Sequence, residues 1–247
     1  MVAAPQRPER RIRPRRPVQK RRRSRWVEAC IPSRMNQSKL DPGLLFGAAA
    51  LATLGFAAVT RAVARGRFSS FDRRAKRALH ATRESGAPAR ALTLASKAST
   101  PLGQWWGYVP PSLLTALKVQ RNGRTAAALT IAGTSVAAAL LPAILERLVS
   151  SRLPPRERRD PNKQSYPSGH ALQTSAMAVA VGYVMRRERL GNPRWLLPLG
   201  PLSLLAGAGR LLLDRHWTSD VLGGYCAGIA LGAASAGCYE LARSNAD

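Results

Sequence analysis

Residues 125–145 read TAAALTIAGTSVAAALLPAIL and carry no charged side chain. A helix needs about 20 consecutive apolar residues to cross the hydrocarbon core of a bilayer. Five further runs of similar character flank this one, at 43–60, 101–117, 167–185, 195–213 and 221–238. Several are rich in Ala and Gly, which lets helices pack closely in lipid. The sequence therefore predicts an all-α fold, a bundle of six transmembrane helices; a soluble helical protein with buried helices is the alternative.

A basic segment with amphipathic periodicity lies between the first two runs. Its apolar side chains recur at helical spacing, at Phe68, Phe71, Ala75 and Leu79. Four cations stand among them, at Arg73, Arg74, Lys76 and Arg77. This pattern predicts an interfacial amphipathic helix, which lies among the lipid headgroups with its apolar face toward the acyl chains. A surface helix packed on the bundle is the alternative interpretation.

The net charge is +26, from 39 Lys and Arg against 13 Asp and Glu, and its distribution decides how it is interpreted. Thirteen of the cations fall within residues 1–40, and most of the others crowd between the apolar runs. Loops beside membrane spans do not form a DNA-binding face, so no nucleic-acid partner is expected. The charges do not orient the bundle either, because 21 cations lie on the side of the termini and 18 on the other.

Residues 1–39 are rich in Pro and Arg and have almost nothing apolar to bury. Because such a composition cannot offset the entropy lost on ordering, we expect a disordered basic tail. Contact with anionic lipid or nucleic acid, and a true start at Met35, are the alternatives. The predicted division is therefore a tail at 1–39 and a membrane domain at 40–247.

The three cysteines, Cys30, Cys226 and Cys238, are an odd number and lack metal-ligand spacing. Two of them lie in an apolar run, where Cys behaves as a small hydrophobe. The sequence thus predicts neither a disulfide framework nor a zinc site.

Polar residues gather at the ends of the runs on the side opposite the termini. The segment ERLVSSR at 146–152 follows the third run, YPSGH at 166–170 opens the fourth, and RLLLDRHWTSD at 210–220 links the fifth to the sixth. Together they bring two histidines, several arginines, a Ser-Gly turn and a carboxylate to one face. A cluster of ionisable groups at a membrane surface predicts a functional site.

Each of these residue types suits the binding and transfer of a phosphoryl group. A helix that begins at Ser168 and Gly169 offers backbone N–H groups and the positive end of its dipole to an anion. Arg210 can give two parallel hydrogen bonds to phosphate oxygens. His216 can act as a nucleophile, and Asp220, four residues on, can fix its tautomer. Taken singly these residues could cap helices or anchor span ends; their joint occurrence favours a site.

These residues resemble the signatures of the type 2 phosphatidic acid phosphatase and vanadium haloperoxidase superfamily, over about residues 101–240. Its second signature, Pro-Ser-Gly-His, is complete at 167–170. Its third, Ser-Arg-x5-His-x3-Asp, matches at Arg210, His216 and Asp220, with Gly209 where Ser is usual.

The first signature of that superfamily, Lys-x6-Arg-Pro, is altered in this chain. Arg147 stands at the Lys position, and Pro154 and Pro155 stand at the Arg-Pro positions. A shift of one or two residues in this loop would let Arg152 or Arg156 supply the missing guanidinium.

The resemblance implies a metal-independent phosphatase that uses no cofactor. His216 would attack phosphorus, Asp220 would orient it, and His170 would protonate the leaving alkoxide and then activate water. The phosphate ligands that it implies are Arg210, Ser168, Gly169, Arg147 and Arg152. It also implies that the site lies on the extracytoplasmic face. The six apolar runs and the compact design without a signal peptide predict an integral, multi-pass protein of a bacterial inner membrane.

The expected function is hydrolysis of a lipid phosphate, because a site at the ends of spans suits a substrate whose tail stays in the membrane. Polyprenyl diphosphate, phosphatidate and phosphatidylglycerol phosphate are the candidate substrates. A phosphotransferase, in which a hydroxyl replaces water, is one alternative. A non-catalytic membrane scaffold or tether that works through the basic tail is another. The oligomeric state is left open.

Overall fold

The computed structural model describes residues 40–83, 87–149, 152–155, 164–190 and 192–245. These ranges form eight α-helices and two short 3-10 helices and contain no β-strand, which confirms the all-α prediction. The α-helices are α1 (Pro42–Ala64), α2 (Ser69–Arg83), α3 (Ala87–Ala98), α4 (Trp105–Arg121), α5 (Thr125–Val149), α6 (Gly169–Arg187), α7 (Leu199–Leu212) and α8 (Thr218–Ser244). The 3-10 helices are Thr100–Gly103 and Pro193–Leu196. The predicted tail at 1–39, and Arg156, lie outside the described residues.

Three of the described helices, α1, α5 and α8, are long and apolar enough to cross a membrane. Their outer faces carry large apolar side chains, as α1 shows, where Leu44, Leu51 and Leu54 are 66–72% exposed. A continuous face of exposed leucine is costly in water and favourable in lipid. The chain is therefore a membrane protein.

The start of α1 follows directly from local sequence. Pro42 stands in the first turn, where its missing N–H would have no partner within the helix. Asp41 precedes it, and its Oδ1 accepts a hydrogen bond from the backbone N–H of Gly43 at 2.9 Å. Such a cap stabilises a helix by about 1 kcal/mol.

Two of the apolar runs are interrupted near their starts. The run at 195–213 contains a 3-10 turn that ends at Leu196, followed by Pro198 as the N-cap of α7. Pro198 cannot donate to the preceding turn, so a continuous helix is disfavoured there. The 14 residues of α7 span about 21 Å, less than the hydrocarbon core of about 30 Å. The run at 101–117 changes from a 3-10 helix to α4 at Gln104.

The predicted amphipathic segment is helical, and α2 turns one acidic side chain inward. Asp72 is 1% exposed, whereas Phe71 is half exposed. The buried face of α2 therefore contains a carboxylate as well as apolar side chains.

The centre of the bundle is α8, which packs against α1 on one side and α6 on the other. Its glycines at 224, 228 and 232 recur every four residues and face α6. A methyl group at Gly228 would overlap the carbonyl oxygen of Leu172 in α6. Small residues at this spacing let two helix backbones approach closely in lipid.

We predict that Gly228→Ala forces α6 and α8 apart and destabilises the fold by about 1–3 kcal/mol. Gly133→Ala in α5 is the matched control, because a methyl group there has nothing within 4 Å. Thermal unfolding in detergent should show a lower midpoint for Gly228→Ala and an unchanged or higher one for Gly133→Ala, since alanine favours helix. Equal midpoints would contradict the close packing of these helices.

Ion pairs stabilise the C-terminal end of α8. Glu240 is fully buried, and its Oε1 accepts hydrogen bonds from Arg187 Nε at 2.6 Å and from Tyr183 Oη at 2.8 Å. Arg243 and Arg124 reach Glu188 at the end of α6. Because each carboxylate is matched by an arginine, this end is a structural clamp between α5, α6 and α8.

Candidate active site

A cavity of about 280 Å³ opens at one end of the bundle. It lies where α4 and α6 begin and where α5 and α7 end. Its lining residues are Gly103, Gln104, Trp105, Glu146, Pro154, Gln164, Gly169, His170, Gln173, Arg210, Arg215 and His216. Three of the sequence-predicted residues that could carry chemistry, His170, Arg210 and His216, therefore face the same space.

His216 lies in the turn between α7 and α8, and one contact sets its tautomer. Its Nδ1 is 2.7 Å from the backbone carbonyl oxygen of Ser165. A carbonyl oxygen can only accept, so Nδ1 carries the proton and Nε2 carries the lone pair. A neutral imidazole in this state is a nucleophile at Nε2. Ser165 acts through its backbone, so no side-chain pattern in the sequence pointed to it.

Asp220 is fully buried in the first turn of α8. Its Oδ2 accepts a hydrogen bond from the backbone N–H of Trp217 at 2.7 Å and lies 3.8 Å from Nδ1 of His216. The sequence predicts that Asp220 accepts the ring N–H; in the structure the carbonyl of Ser165 is the nearer acceptor. Asp220 caps the helix and holds the turn that carries His216, with its charge close to the ring.

His170 is the second residue of α6 and packs tightly against the start of α4. Its Nε2 lies 3.5 Å from the side-chain amide of Gln104. A methyl group at Gly103 would come within 2.5 Å of Cδ2 of His170. Only glycine at 103 therefore leaves room for the imidazole in this position.

Arg210 is 6% exposed at the end of α7. Its Nη2 donates to Oγ1 of Thr100 at 2.5 Å, while its Nε is buried without a hydrogen-bond partner in the described part of the chain. A buried charged donor without a partner is costly, and an anion would supply the missing acceptor. The arrangement fits a site for a phosphate oxygen.

Ser168 and Gly169, which form the turn at the start of α6, have different roles. The N–H of Ser168 donates to the carbonyl of Asp220 at 2.9 Å, so this group serves to join α6 to α8. The Ser168 side chain is fully buried and does not cap the helix. Gly169 lines the cavity, and the first turn of a helix leaves its backbone N–H groups without intrahelical partners.

The predicted arginines of the altered first signature do not line the cavity. Arg147 is exposed on α5, and its neighbour Glu146 faces the cavity instead. Successive helical residues point about 100° apart, so the register that turns Glu146 inward turns Arg147 away. Pro154 also lines the cavity, and so does Arg215 beside Arg210.

Arg152 is bound behind the site by residues of α2 and α8. Its Nη2 pairs with Oδ2 of Asp72 at 2.5 Å, and its Nη1 donates to Oγ of Ser219 at 2.6 Å and to Oδ1 of Asp220 at 3.3 Å. Asp72 belongs to none of the signature motifs and is not among the predicted site residues. Its one signal is that it is the sole acidic residue between 42 and 83.

Tyr166 joins the turn before α6 to the end of α1. Its Oη lies 2.8 Å from Oγ1 of Thr60, and the ring is fully buried. Burial raises the pKa of Tyr166 to about 12, so the hydroxyl stays protonated at neutral pH. It supports the turn that carries Ser168 and His170.

The altered third signature has a steric reason. A methyl group at Gly209 would lie 3.1 Å from Cβ and 3.2 Å from Cα of Ser96 in α3. A serine at 209 would press against that helix.

In the described part of the chain, no three His, Cys, Asp or Glu side chains gather to hold a metal ion.

Residues 125–243 match the family model of the PAP2 superfamily. This segment belongs to the PAP2 superfamily. It contains α5 to α8 and hence both histidines, Arg210 and Asp220 of the site. Asp72 and the residues at 103–105 that line the cavity lie outside the PAP2 segment.

Curated relatives of the PAP2 segment are phosphatases of lipid phosphates. Lipid A 1-phosphatases from two strains of Helicobacter pylori are 43% identical over 63 residues, which is 26% of this chain and 30% of each relative. An undecaprenyl-diphosphatase from Sulfolobus acidocaldarius is 36% identical over 69 residues, or 28% of this chain and 30% of that protein. The chain thus spans about a third of the length of the curated relatives that it matches.

A solved structure extends the likeness beyond the PAP2 segment. The crystal structure of a transmembrane PAP2 type phosphatidylglycerolphosphate phosphatase from Bacillus subtilis superposes with a TM-score of 0.61. The match covers 75% of this chain and 92% of that one at 20% identity. At this identity the likeness establishes a shared fold.

Proposed function

We propose that the chain is an integral membrane phosphatase that hydrolyses a lipid phosphate through a phosphohistidine at His216, without a metal ion. The observation that carries the proposal is the shared cavity of His216, His170 and Arg210. The hydrogen bond from Nδ1 of His216 to the Ser165 carbonyl leaves the ring lone pair on Nε2, the atom that would attack phosphorus. The homologous lipid phosphatases support the chemistry, and the seven sequence positions of the second and third signatures support the roles.

The reaction has two steps. Nε2 of His216 attacks phosphorus, the ester P–O bond breaks, and His170 gives its proton to the leaving alkoxide. His170, now neutral, takes a proton from water, whose oxygen attacks the phosphohistidine and releases inorganic phosphate. The P–N bond breaks and releases His216 as a neutral imidazole, while the proton that His170 took from water serves the next turnover. General acid and base catalysis by one histidine suits both steps.

The phosphate oxygens are held by Arg210, Arg215 and the first turn of α6. Both arginines line the cavity, and Gly169 lets an anion approach the backbone N–H groups closely. Ser168 supports this turn from behind. Arg147 and Arg152, which the resemblance implies as phosphate ligands, take no part in this arrangement because neither lines the cavity.

The substrate is a lipid whose phosphate reaches the cavity while its tail stays in the bilayer. Polyprenyl diphosphate, phosphatidate and phosphatidylglycerol phosphate are the candidate substrates, because each joins a phosphate headgroup to an apolar tail. Transfer of the phosphoryl group to a hydroxyl acceptor is the second candidate function, since the same phosphohistidine can react with an alcohol.

The proposed arrangement in the membrane has six crossings, formed by α1, α4, α5, α6, α7 and α8. The site lies at the end of α1, α5 and α7 and at the start of α4, α6 and α8, so successive crossings run in opposite directions. The helix α2 would then lie in the interface beside the site, with its cations near the headgroups. We propose an extracytoplasmic site, as the resemblance implies, and a bacterial inner membrane.

The test is phosphate release by the full chain in detergent, with EDTA present. We expect release from at least one of phosphatidylglycerol phosphate, phosphatidate and polyprenyl diphosphate, with no loss of rate in EDTA. Adding an alcohol acceptor separates the two candidate functions, because a phosphotransferase forms phosphorylated acceptor at the expense of inorganic phosphate. Failure to consume any lipid phosphate, with or without acceptor, would overturn the proposal.

A further inference from the structure

We infer that Asp72 of α2, outside the PAP2 segment, is a positioning residue for His216, acting through Arg152 and the first turn of α8. The inference rests on the proposed function. It assigns to the amphipathic helix a part in the reaction besides its place at the membrane surface.

Asp72 binds the start of α8 directly. Its Oδ1 accepts a hydrogen bond from the backbone N–H of Ser219 at 3.0 Å, and its Oδ2 accepts one from Oγ of Ser219 at 2.8 Å. The carboxylate is 1% exposed and Ser219 is fully buried. A carboxylate at an uncapped backbone N–H of a helix start is held by charge as well as by hydrogen bonding. The helix α2 therefore fixes where α8 begins.

A second connection runs through Arg152. This arginine joins Asp72 at 2.5 Å to Asp220 at 3.3 Å, and its guanidinium also lies over the ring of Trp217, 5.2 Å from the centroid. Trp217 follows His216 in the chain, and its N–H donates to Asp220. Asp72, Arg152 and Asp220 thus surround the short turn that carries the nucleophile.

The charges explain why Asp72 is needed. Arg152 lies between two buried carboxylates, Asp72 and Asp220, and its positive charge offsets their mutual repulsion. Without the Asp72 charge, Arg152 would be drawn toward Asp220, which holds the N–H of Trp217. That shift would move Asp220 and the turn, and with them the lone pair of His216. A displacement of about 1 Å at a reacting atom can cost 100-fold in rate.

The experiment compares Asp72→Asn with Glu240→Gln as a matched control. Both changes neutralise a buried carboxylate that is paired with arginine, but Glu240 lies at the far end of α8, where it pairs with Arg187. For each folded protein we would measure kcat and KM, inhibition by inorganic phosphate, and inhibition by orthovanadate. Vanadate adopts the five-coordinate geometry of the transition state when a nucleophile binds it, so its affinity reports the placement of His216.

For Asp72→Asn we expect kcat to fall about 10- to 100-fold and vanadate affinity to fall in parallel, while KM and phosphate inhibition change less than about 3-fold. Glu240→Gln should leave both inhibition constants as in the wild type. A merely structural role would lower the active fraction in both variants without changing either inhibition constant. That result for Asp72→Asn, in an active wild-type background, would overturn the inference alone.

A second variant covers poor folding of Asp72→Asn. Ser219→Ala removes the hydroxyl that lies between Asp72 and Arg152 but keeps both charges. It should weaken vanadate binding about 3-fold or more without weakening phosphate inhibition. Unchanged vanadate binding there would also overturn the inference. A wild-type chain with no activity and no vanadate binding would overturn the proposed function, and this inference with it.

Discussion

Replacing His216 with alanine is expected to lower phosphate release by about 10⁴-fold or more, because the reaction loses its nucleophile. The cavity and its arginines remain, so the substrate should still bind and KM should change little. Labelled substrate should also leave a phosphoryl group on the wild-type protein after rapid quenching, stable in alkali and lost in acid. That stability is typical of a P–N bond, and the label should be absent from His216→Ala.

The matched control is His80→Ala, the remaining histidine of the chain. His80 lies on α2 and pairs with Asp214 at 3.3 Å, with its side chain 46% exposed. We expect it to retain activity within about 3-fold, since exposed pairs of this kind contribute little. Phosphate release from His216→Ala at a wild-type rate, or an acid-stable label, would contradict a phosphohistidine.

The second large effect is expected at His170, and it should depend on the leaving group. His170→Ala removes the proton donor for the alkoxide, so turnover of an alkyl phosphate should fall about 10²- to 10⁴-fold. A nitrophenyl phosphate carries a leaving group that needs no proton, so formation of the phosphoenzyme should be nearly normal. Its hydrolysis should then be slow, because no base activates water.

The expected signature is a burst of nitrophenol equal to the enzyme concentration, followed by slow turnover, with phosphoenzyme accumulating in His170→Ala. Rapid-quench kinetics with labelled substrate would measure it. The wild-type protein, assayed on the same two substrates, is the reference for each step. An equal loss for both leaving groups, with no burst, would show that His170 does not transfer the proton.

Much of the helical architecture could be predicted from apolar runs alone. The run at 125–145 became α5, Thr125–Val149, and the run at 221–238 lies within α8, Thr218–Ser244. The runs at 101–117 and 195–213 were less well predicted, because hydropathy does not register a change from 3-10 to α-helix. Pro198 was the local signal for the second of these breaks.

For the candidate site too, some features could be predicted from the sequence and others could not. Signature spacing identified His170, Arg210 and His216, and the structure brings all three to one cavity. The orientation of Glu146 depends on the rotation of α5 about its axis, which is set by packing against α4 and α6. Glu146 and Arg147 are adjacent and both charged, so the sequence does not show which of the two side chains faces the cavity.

The sequence by itself predicted most of the helical segments and the residues that are proposed to carry the chemistry, because apolar periodicity and motif spacing are local properties of the chain. Only the tertiary structure decided which groups hold those residues in place. The Ser165 carbonyl on His216 and the Asp72 carboxylate on Ser219 join positions 51 and 147 residues apart. Contacts at such separations arise from helix packing, and their partners are a backbone oxygen and a single acid in a basic helix, neither of which a local pattern reveals.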